Sequence, residues 1–134
     1  MFELQPLHHV ALSVSDMTSA DWFYGEVLGL EKILRPPFDF PGAWYQLGDR
    51  TLHLIVHPAT THTLRGTRVI DPRDAHLALR VSSYEDTLAR LKSFGLDVLE
   101  LPDNLTPWAQ LYVTDPAGNV VEFNVERGDL KRQV

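Results

Sequence analysis

The sequence predicts an α+β fold: two pseudo-symmetric βαβββ modules forming a curved, cup-like mixed sheet. Three observations predict it. Short segments alternate apolar and polar residues with the period of a half-buried strand. Two other segments carry helical spacing, and each follows the first strand of a half. The order strand–helix–strand–strand–strand therefore occurs twice, and the halves match in sequence. HVALSVSD at 9–16 matches HLALRVSS at 76–83, an offset of 67 (76 minus 9). AWYQL at 43–47 matches PWAQL at 107–111, an offset of 64, and LHLIV at 52–56 matches VEFNV at 121–125, an offset of 69. Changing offsets are what loop insertions produce.

In the first half, Leu7 to Val14 alternates, with Val10, Leu12 and Val14 on one face and His9, Ala11 and Ser13 on the other. Ser15-Asp16 is a helix N-cap pair. Ala20, Phe23, Tyr24, Val27 and Leu28 recur at helical spacing over 17–28, and Gly29 follows where a C′ glycine is expected. Leu30 to Leu34 reads as a short strand. Arg35-Pro36-Pro37 ends it, and Phe38 to Gly42 carries turn residues. Trp44–Leu47 and Thr51–Val56 form a hairpin around Gly48-Asp49. Residues 58–74 hold no sustained period and read as a linker, in which Thr60 to Asp74 is either a lid or a plain connection.

In the second half, Ala75 to Val81 alternates again. Ser82-Ser83 before Glu85-Asp86 is a capping pattern. Leu88, Leu91 and Phe94 give a helical stripe closed by Gly95. A strand over 97–101 and a loop over 102–107 follow. Gln110–Thr114 and Asn119–Val125 then form a hairpin around Asp115-Pro116-Ala117-Gly118, a type I turn signature. The chain is expected to be one domain, with module one over 7–57, module two over 75–125 and a polar tail over 126–134.

Composition narrows the function classes. The net charge of −6 gives no counterion-release attraction to a phosphate backbone, so nucleic acid is not expected as a partner. The absence of cysteine excludes disulfides, thiolate metal sites and cysteine nucleophiles. No apolar run approaches a membrane span, and MFELQPLHHV has no signal-peptide pattern, so no membrane contact is expected and the location expected is cytoplasmic.

The candidate chemistry lies on the strand faces turned away from the helices. There the alternation places His9 and His76 at matched positions of the first strands, and His53 and Glu122 at matched positions of the last. Three imidazoles and one carboxylate suit one divalent transition metal, zinc, nickel, iron, cobalt or manganese, better than magnesium or calcium. The alternative is that each is an ordinary hydrogen-bonded strand residue. Trp44, Gln46, Trp108, Gln110 and Tyr112 on the third strands are candidates to line a substrate pocket, or else are core aromatics and their neighbours. Arg80 is a candidate for a substrate carboxylate or the partner of a nearby acid. His8, His57 and His62 read as surface or supporting residues.

Residues 9–16, followed by Trp22-Phe23-Tyr24-Gly25-Glu26-Val27-Leu28-Gly29-Leu30, resemble the opening of the vicinal oxygen chelate superfamily. That group includes glyoxalase I, fosfomycin and bleomycin resistance proteins, methylmalonyl-CoA epimerase and extradiol dioxygenases. Asp115-Pro116-Ala117-Gly118-Asn119-Val120-Val121-Glu122 resembles its closing motif, and the resemblance spans 7–125. It implies paired βαβββ modules holding a metal. It puts His9, His76 and Glu122 on the family's common ligand positions, and His53 where glyoxalase I has a glutamate ligand. It also implies a homodimer, since many members build each metal site from both chains. Phe38-Asp39-Phe40-Pro41-Gly42-Ala43-Trp44 with Leu52-His53-Leu54 resembles a glyoxalase-I-like subgroup.

The activity this implies is a metal-dependent, glyoxalase-like lyase or isomerase acting on a small, metal-chelated, oxygen-bearing substrate. Glu122 is the candidate catalytic base, and the histidine at 53 argues against a symmetric two-base transfer. Two other activities within the resemblance stay open. One is a thiol transferase of the fosfomycin-resistance type, favoured by Gly128-Asp129-Leu130-Lys131-Arg132 and opposed by Ala11 in place of a threonine. The other is a ring-cleaving dioxygenase. A metal-free small-molecule-binding protein, like the bleomycin resistance proteins, is the non-enzymatic alternative.

Overall fold

A computed structural model describes residues 1–57 and 69–129. Contacts divide the chain into two compact units, 1–66 and 67–134. The first contains β1 (His9–Val14), the short helix α1 (Met17–Asp21), a π-helical segment (Trp22–Val27), β2 (Lys32–Ile33), β3 (Gly42–Leu47) and β4 (Arg50–Val56). The second contains β5 (His76–Arg80), α2 (Tyr84–Ser93), β6 (Leu99–Leu101), β7 (Trp108–Thr114), β8 (Val120–Glu126) and a 3₁₀ turn (Arg127–Asp129). Their sheet orders are β1-β4-β3-β2 and β5-β8-β7-β6, the same path drawn twice. In each, the first and last strands run parallel while the hairpins are antiparallel. A parallel pair needs a long connection, and the helix with two intervening strands supplies it. The α+β fold of two βαβββ modules is as the sequence predicts.

The core of each module follows the alternation. Leu52 and Leu54 of β4, Ala43 and Tyr45 of β3 and Val14 of β1 are buried with Ala20, Phe23, Tyr24 and Val27. Val121, Phe123 and Val125 of β8 and Ala109, Leu111 and Val113 of β7 are buried with Tyr84 and Leu91 of α2. Apolar area leaves water on these faces. The opposite face of β1 and β5 stays open: His9, Ala11, His76, Ala78 and Arg80 are all exposed.

Two expectations change. The helix expected over 17–28 is α-helical only to Asp21, then widens, with the Leu28 N–H donating to the Phe23 carbonyl at 2.9 Å. A π turn sets neighbouring residues on one face differently from a 3.6-residue turn. Here it buries Phe23, Tyr24 and Val27 completely, while Gly25 lies against the Tyr45 hydroxyl at ordinary contact distance.

The third-strand alignment is also corrected. Trp44 pairs across the ladder with His53, and Tyr112 pairs with Glu122. The equivalent of Trp44 is therefore Tyr112, an offset of 68 (112 minus 44). The AWYQL–PWAQL match is out of register by four residues.

Of the linker expected over 58–74, residues 58–68, with His62, lie outside the described residues. So does the tail beyond 129, which includes most of the Gly128 to Arg132 motif.

Candidate functional site

In the first module, β1 and β4 run parallel with Ala11 opposite His53. His9, two residues earlier on the same face, reaches diagonally to His53. The two imidazoles stack at 4.1 Å with 15° between their planes. Trp44, opposite His53 on β3, stacks on its other side at 4.1 Å and 5°. His53 Nε2 lies 3.0 Å from the Thr51 hydroxyl, and His9 Nδ1 lies 2.8 Å from His8 Nδ1. Burial, then the positive charge available on His9, His8 and Arg35, lowers the His53 pKa. That ring is therefore held as the neutral imidazole, the form that can donate a lone pair. Beside this group an open pocket of about 440 Å³ is lined by Pro6, Leu7, His8, Asp49, Arg50 and Thr51.

In the second module, the same diagonal brings His76 to Glu122, with Nε2 to Oε1 at 3.6 Å. The Glu122 side chain is buried, and its carboxylate is ringed by neutral donors. The Tyr112 hydroxyl donates to Oε1 at 2.5 Å, Gln110 Nε2 to Oε1 at 2.9 Å and Asn124 Nδ2 to Oε2 at 2.5 Å. Burial, then the bond to Glu122, pushes the Tyr112 pKa up, so the hydroxyl keeps its proton and remains a donor. His76 Nδ1 lies 2.6 Å from the Asp74 carbonyl, which can only accept. The proton is thereby assigned to Nδ1 and the lone pair to Nε2, the usual way a backbone carbonyl orients a metal-binding histidine.

Thus the structure brings the four expected donors together as two pairs, His9 with His53 and His76 with Glu122. No group of three or more His, Asp or Glu side chains placed to hold a metal ion is found among the described residues. By residue type each pair suits a first-row divalent ion better than magnesium or calcium: two imidazoles in the first module, and in the second a carboxylate beside an imidazole already oriented from behind.

The other expected residues take varied places. Gln110 and Tyr112 hold Glu122. Gln46 Nε2 serves the β3–β4 turn, donating to the carbonyls of Gly48 at 2.8 Å and Arg50 at 3.3 Å. Arg80 pairs with Glu126 at 3.0 Å and lies over the Trp108 ring, whose buried Nε1 has no hydrogen-bond partner. His57 is exposed. Sequence reasoning passed over Asn124 as a site residue, although its place two positions after Glu122 on the same strand face was the available signal. Nothing in the pattern pointed to the Asp74 carbonyl.

Residues 6–123, a span that holds all four donors, match the sequence model of the Glyoxalase/Bleomycin resistance protein/Dioxygenase superfamily. The chain belongs to this superfamily. The resemblance read from residues 9–30 and 115–122 is thereby borne out. Solved structures similar to this superfamily member include a protein assigned to the glyoxalase family from Bacillus anthracis. It is 25% identical, with 94% of this chain and 98% of that chain covered and a TM-score of 0.74. Lactoylglutathione lyase from Agrobacterium tumefaciens is 22% identical, with 91% and 94% covered and a TM-score of 0.67. A mutant fosfomycin resistance protein, FosX, from Listeria monocytogenes, solved with Mn(II) and 1S,2S-dihydroxypropylphosphonic acid, is 14% identical, with 92% and 94% covered and a TM-score of 0.72. The last two likenesses speak to the fold. No curated protein is significantly similar in sequence. No described helix is long and apolar enough to cross a membrane.

Proposed function

We propose that the protein is a metal-dependent, glyoxalase-like lyase or isomerase acting on a small oxygen-bearing substrate. His9, His53, His76 and Glu122 would hold one divalent transition metal. The observation that carries this reading is the second module's donor pair. A buried carboxylate fixed by three neutral donors stands beside an imidazole whose Nδ1 is committed to a backbone carbonyl and whose Nε2 is left available. Superfamily membership supports the reading, and the fold neighbours include a FosX solved with Mn(II) and a lactoylglutathione lyase.

When bound, the metal supplies Lewis acidity: it polarises a chelated carbonyl or hydroxyl and makes the adjacent C–H more acidic. The chain supplies the rest. Glu122 accepts the substrate proton at a carboxylate oxygen and returns it to the neighbouring carbon. Tyr112, Gln110 and Asn124 keep that carboxylate from rotating, so it meets the substrate in one orientation. His53, where a second carboxylate would be needed for a symmetric transfer, acts as a ligand and not as a second base. The protein works as a homodimer in the cytoplasm.

Elemental mass spectrometry of untagged protein purified without chelator tests the metal. Near-stoichiometric zinc, nickel, iron, cobalt or manganese is expected, falling sharply in His9→Ala and His76→Ala. No metal, and none taken up on addition, would overturn the reading. Glu122→Gln should abolish turnover of any substrate found, and retention of both metal and full activity would remove Glu122 as the base. Light scattering during size-exclusion chromatography should give the mass of a dimer.

A further inference from the structure

The segment between β2 and β3 presents a pair of aromatic rings that the proposed chemistry does not use. Phe38 and Phe40 stack on each other at 5.2 Å and 18°, and their residues remain 46% and 38% exposed. Single exposed apolar side chains are common, but a contiguous, ordered pair of them marks a binding surface. The pair is built. The Arg35 guanidinium lies 4.9 Å from the Phe38 centroid and 5.0 Å from the Phe40 centroid, and its Nη2 donates to the Phe40 carbonyl at 2.9 Å. Gly42 makes room for it, because a Cβ there would stand 2.8 Å from Arg35 Nη2.

Arg35 has no carboxylate partner among the described residues, and the nearby Asp39 is exposed and unpaired with it. The row continues inward. Phe38 lies 6.3 Å from Trp44, Trp44 stacks on His53, and His53 stacks on His9. An exposed aromatic surface carrying an unneutralised guanidinium thus runs into two of the proposed metal donors.

We propose that Arg35, Phe38 and Phe40, with Trp44, form a shelf for a planar aromatic anion, so that the substrate of this site is an aromatic compound carrying a carboxylate or phenolate. Ring faces stack in offset or edge-on contacts on the two phenylalanines and Trp44. The positive charge of Arg35 selects an anionic ring over a neutral one. The substrate assignment rests on the metal reading above, but the ring contact itself needs no metal.

The test is calorimetric titration of 2-naphthoate, and of its saturated analogue decahydro-2-naphthoate, into metal-stripped and metal-loaded full-length protein. Wild type should bind naphthoate in both forms and prefer it to the saturated acid. The double variant Phe38→Ala/Phe40→Ala should weaken naphthoate by about tenfold or more, with the saturated acid little changed. Phe38→Leu/Phe40→Leu, which keeps apolar bulk without the ring faces, repeats the measurement if the alanine variant is poorly folded. Arg35→Gln should weaken naphthoate while leaving neutral naphthalene-2-methanol unchanged.

No naphthoate binding by wild type up to millimolar concentration, or equal binding by the ring variants, overturns the proposal. So does the finding that the alanine variant only converts a dimer to monomer, which would make the rings an interface between copies. Naphthoate binding to a protein that takes up no metal keeps the shelf and sinks the metal reading, and the reverse result does the opposite.

Discussion

Gly42 stands where the third strand of the first module begins, and a Cβ added there would run into the carbonyl oxygen of Leu54 and the Arg35 guanidinium. A methyl group there meets backbone on one side and a tethered side chain on the other. Gly42→Ala should destabilise the protein by about 1–3 kcal/mol, the usual cost of overpacking, read as a lower urea midpoint with an unchanged slope. Unchanged stability would mean that β3 and β4 separate freely at this point. Tyr112 presents the opposite case, in which an atom is present for a reason. Its hydroxyl is one of three donors to a buried carboxylate, so Tyr112→Phe leaves Oε1 short of a partner at a cost of about 1–3 kcal/mol. Gln110→Ala, which removes the other Oε1 donor, should cost less than additively with it in a double-mutant cycle. Full additivity would show that the two donors do not share one carboxylate. The role of Tyr112 was only half legible. Alternation put it on the correct face, but the sequence match paired Trp44 with Trp108. Which residue stands opposite Glu122 is a property of ladder register, and the register depends on the turn, which here has different lengths in the two halves.

Helix ends were the most legible elements, because a cap is a local event. Asp16 accepts from the Ser19 backbone N–H at 2.8 Å, and Ser83 accepts from that of Asp86 at 3.1 Å. The two caps differ in one testable way. The bonds from the Ser19 N–H and hydroxyl hold the Asp16 carboxyl below its ordinary value of 3.8. A folded pKa below the unfolded one stabilises above the unfolded value, and that contribution is lost as pH falls through the folded value. The gap in stability between wild type and Asp16→Ala should therefore be full near neutrality and shrink below pH 3.8. Ser83 does not titrate, so Ser83→Ala should cost about 1 kcal/mol at every pH at which the protein stays folded. Denaturant melts at several pH values check both, and a pH-independent gap for Asp16→Ala would remove the charged cap from the account. The π-helical segment was not legible. Its apolar residues fit a 3.6-residue period well enough, and the segment packs against Tyr45, a tertiary contact that no local pattern shows. The Asp115 turn was legible for the same local reason as the caps: Asp115 accepts from the N–H groups of Ala117 and Asn119, and Gly118 takes a φ of 92° that few other residues tolerate.

At the scale of the molecule, the repeat made the fold readable, since two copies of one pattern test each other. That His9 meets His53 and His76 meets Glu122 on one strand face was readable because a period of two assigns faces without knowledge of distance. What no pattern could supply was the supporting set around each donor, such as the Asp74 carbonyl behind His76, because those atoms come from loops and backbone with no residue signature. The supporting set leads to a prediction about stability. The proposed ligands come from the first and last strands of both modules, so a metal that they hold binds the folded chain and not the unfolded one. By linkage, metal in hundredfold excess over its dissociation constant adds about 2.7 kcal/mol, which for a domain of this size raises Tm by roughly 10 °C. Metal-stripped protein titrated with zinc, nickel, cobalt or manganese should therefore melt progressively higher. Magnesium, which prefers oxygen ligands, should shift it far less. His76→Ala and Glu122→Gln should each remove most of the shift. His57→Ala, which alters an exposed histidine outside the set, should leave it intact. A rise that survives loss of both His76 and Glu122 would place the metal elsewhere on the surface, and no rise with any of the four ions would leave the imidazoles and the carboxylate as hydrogen-bonded strand residues.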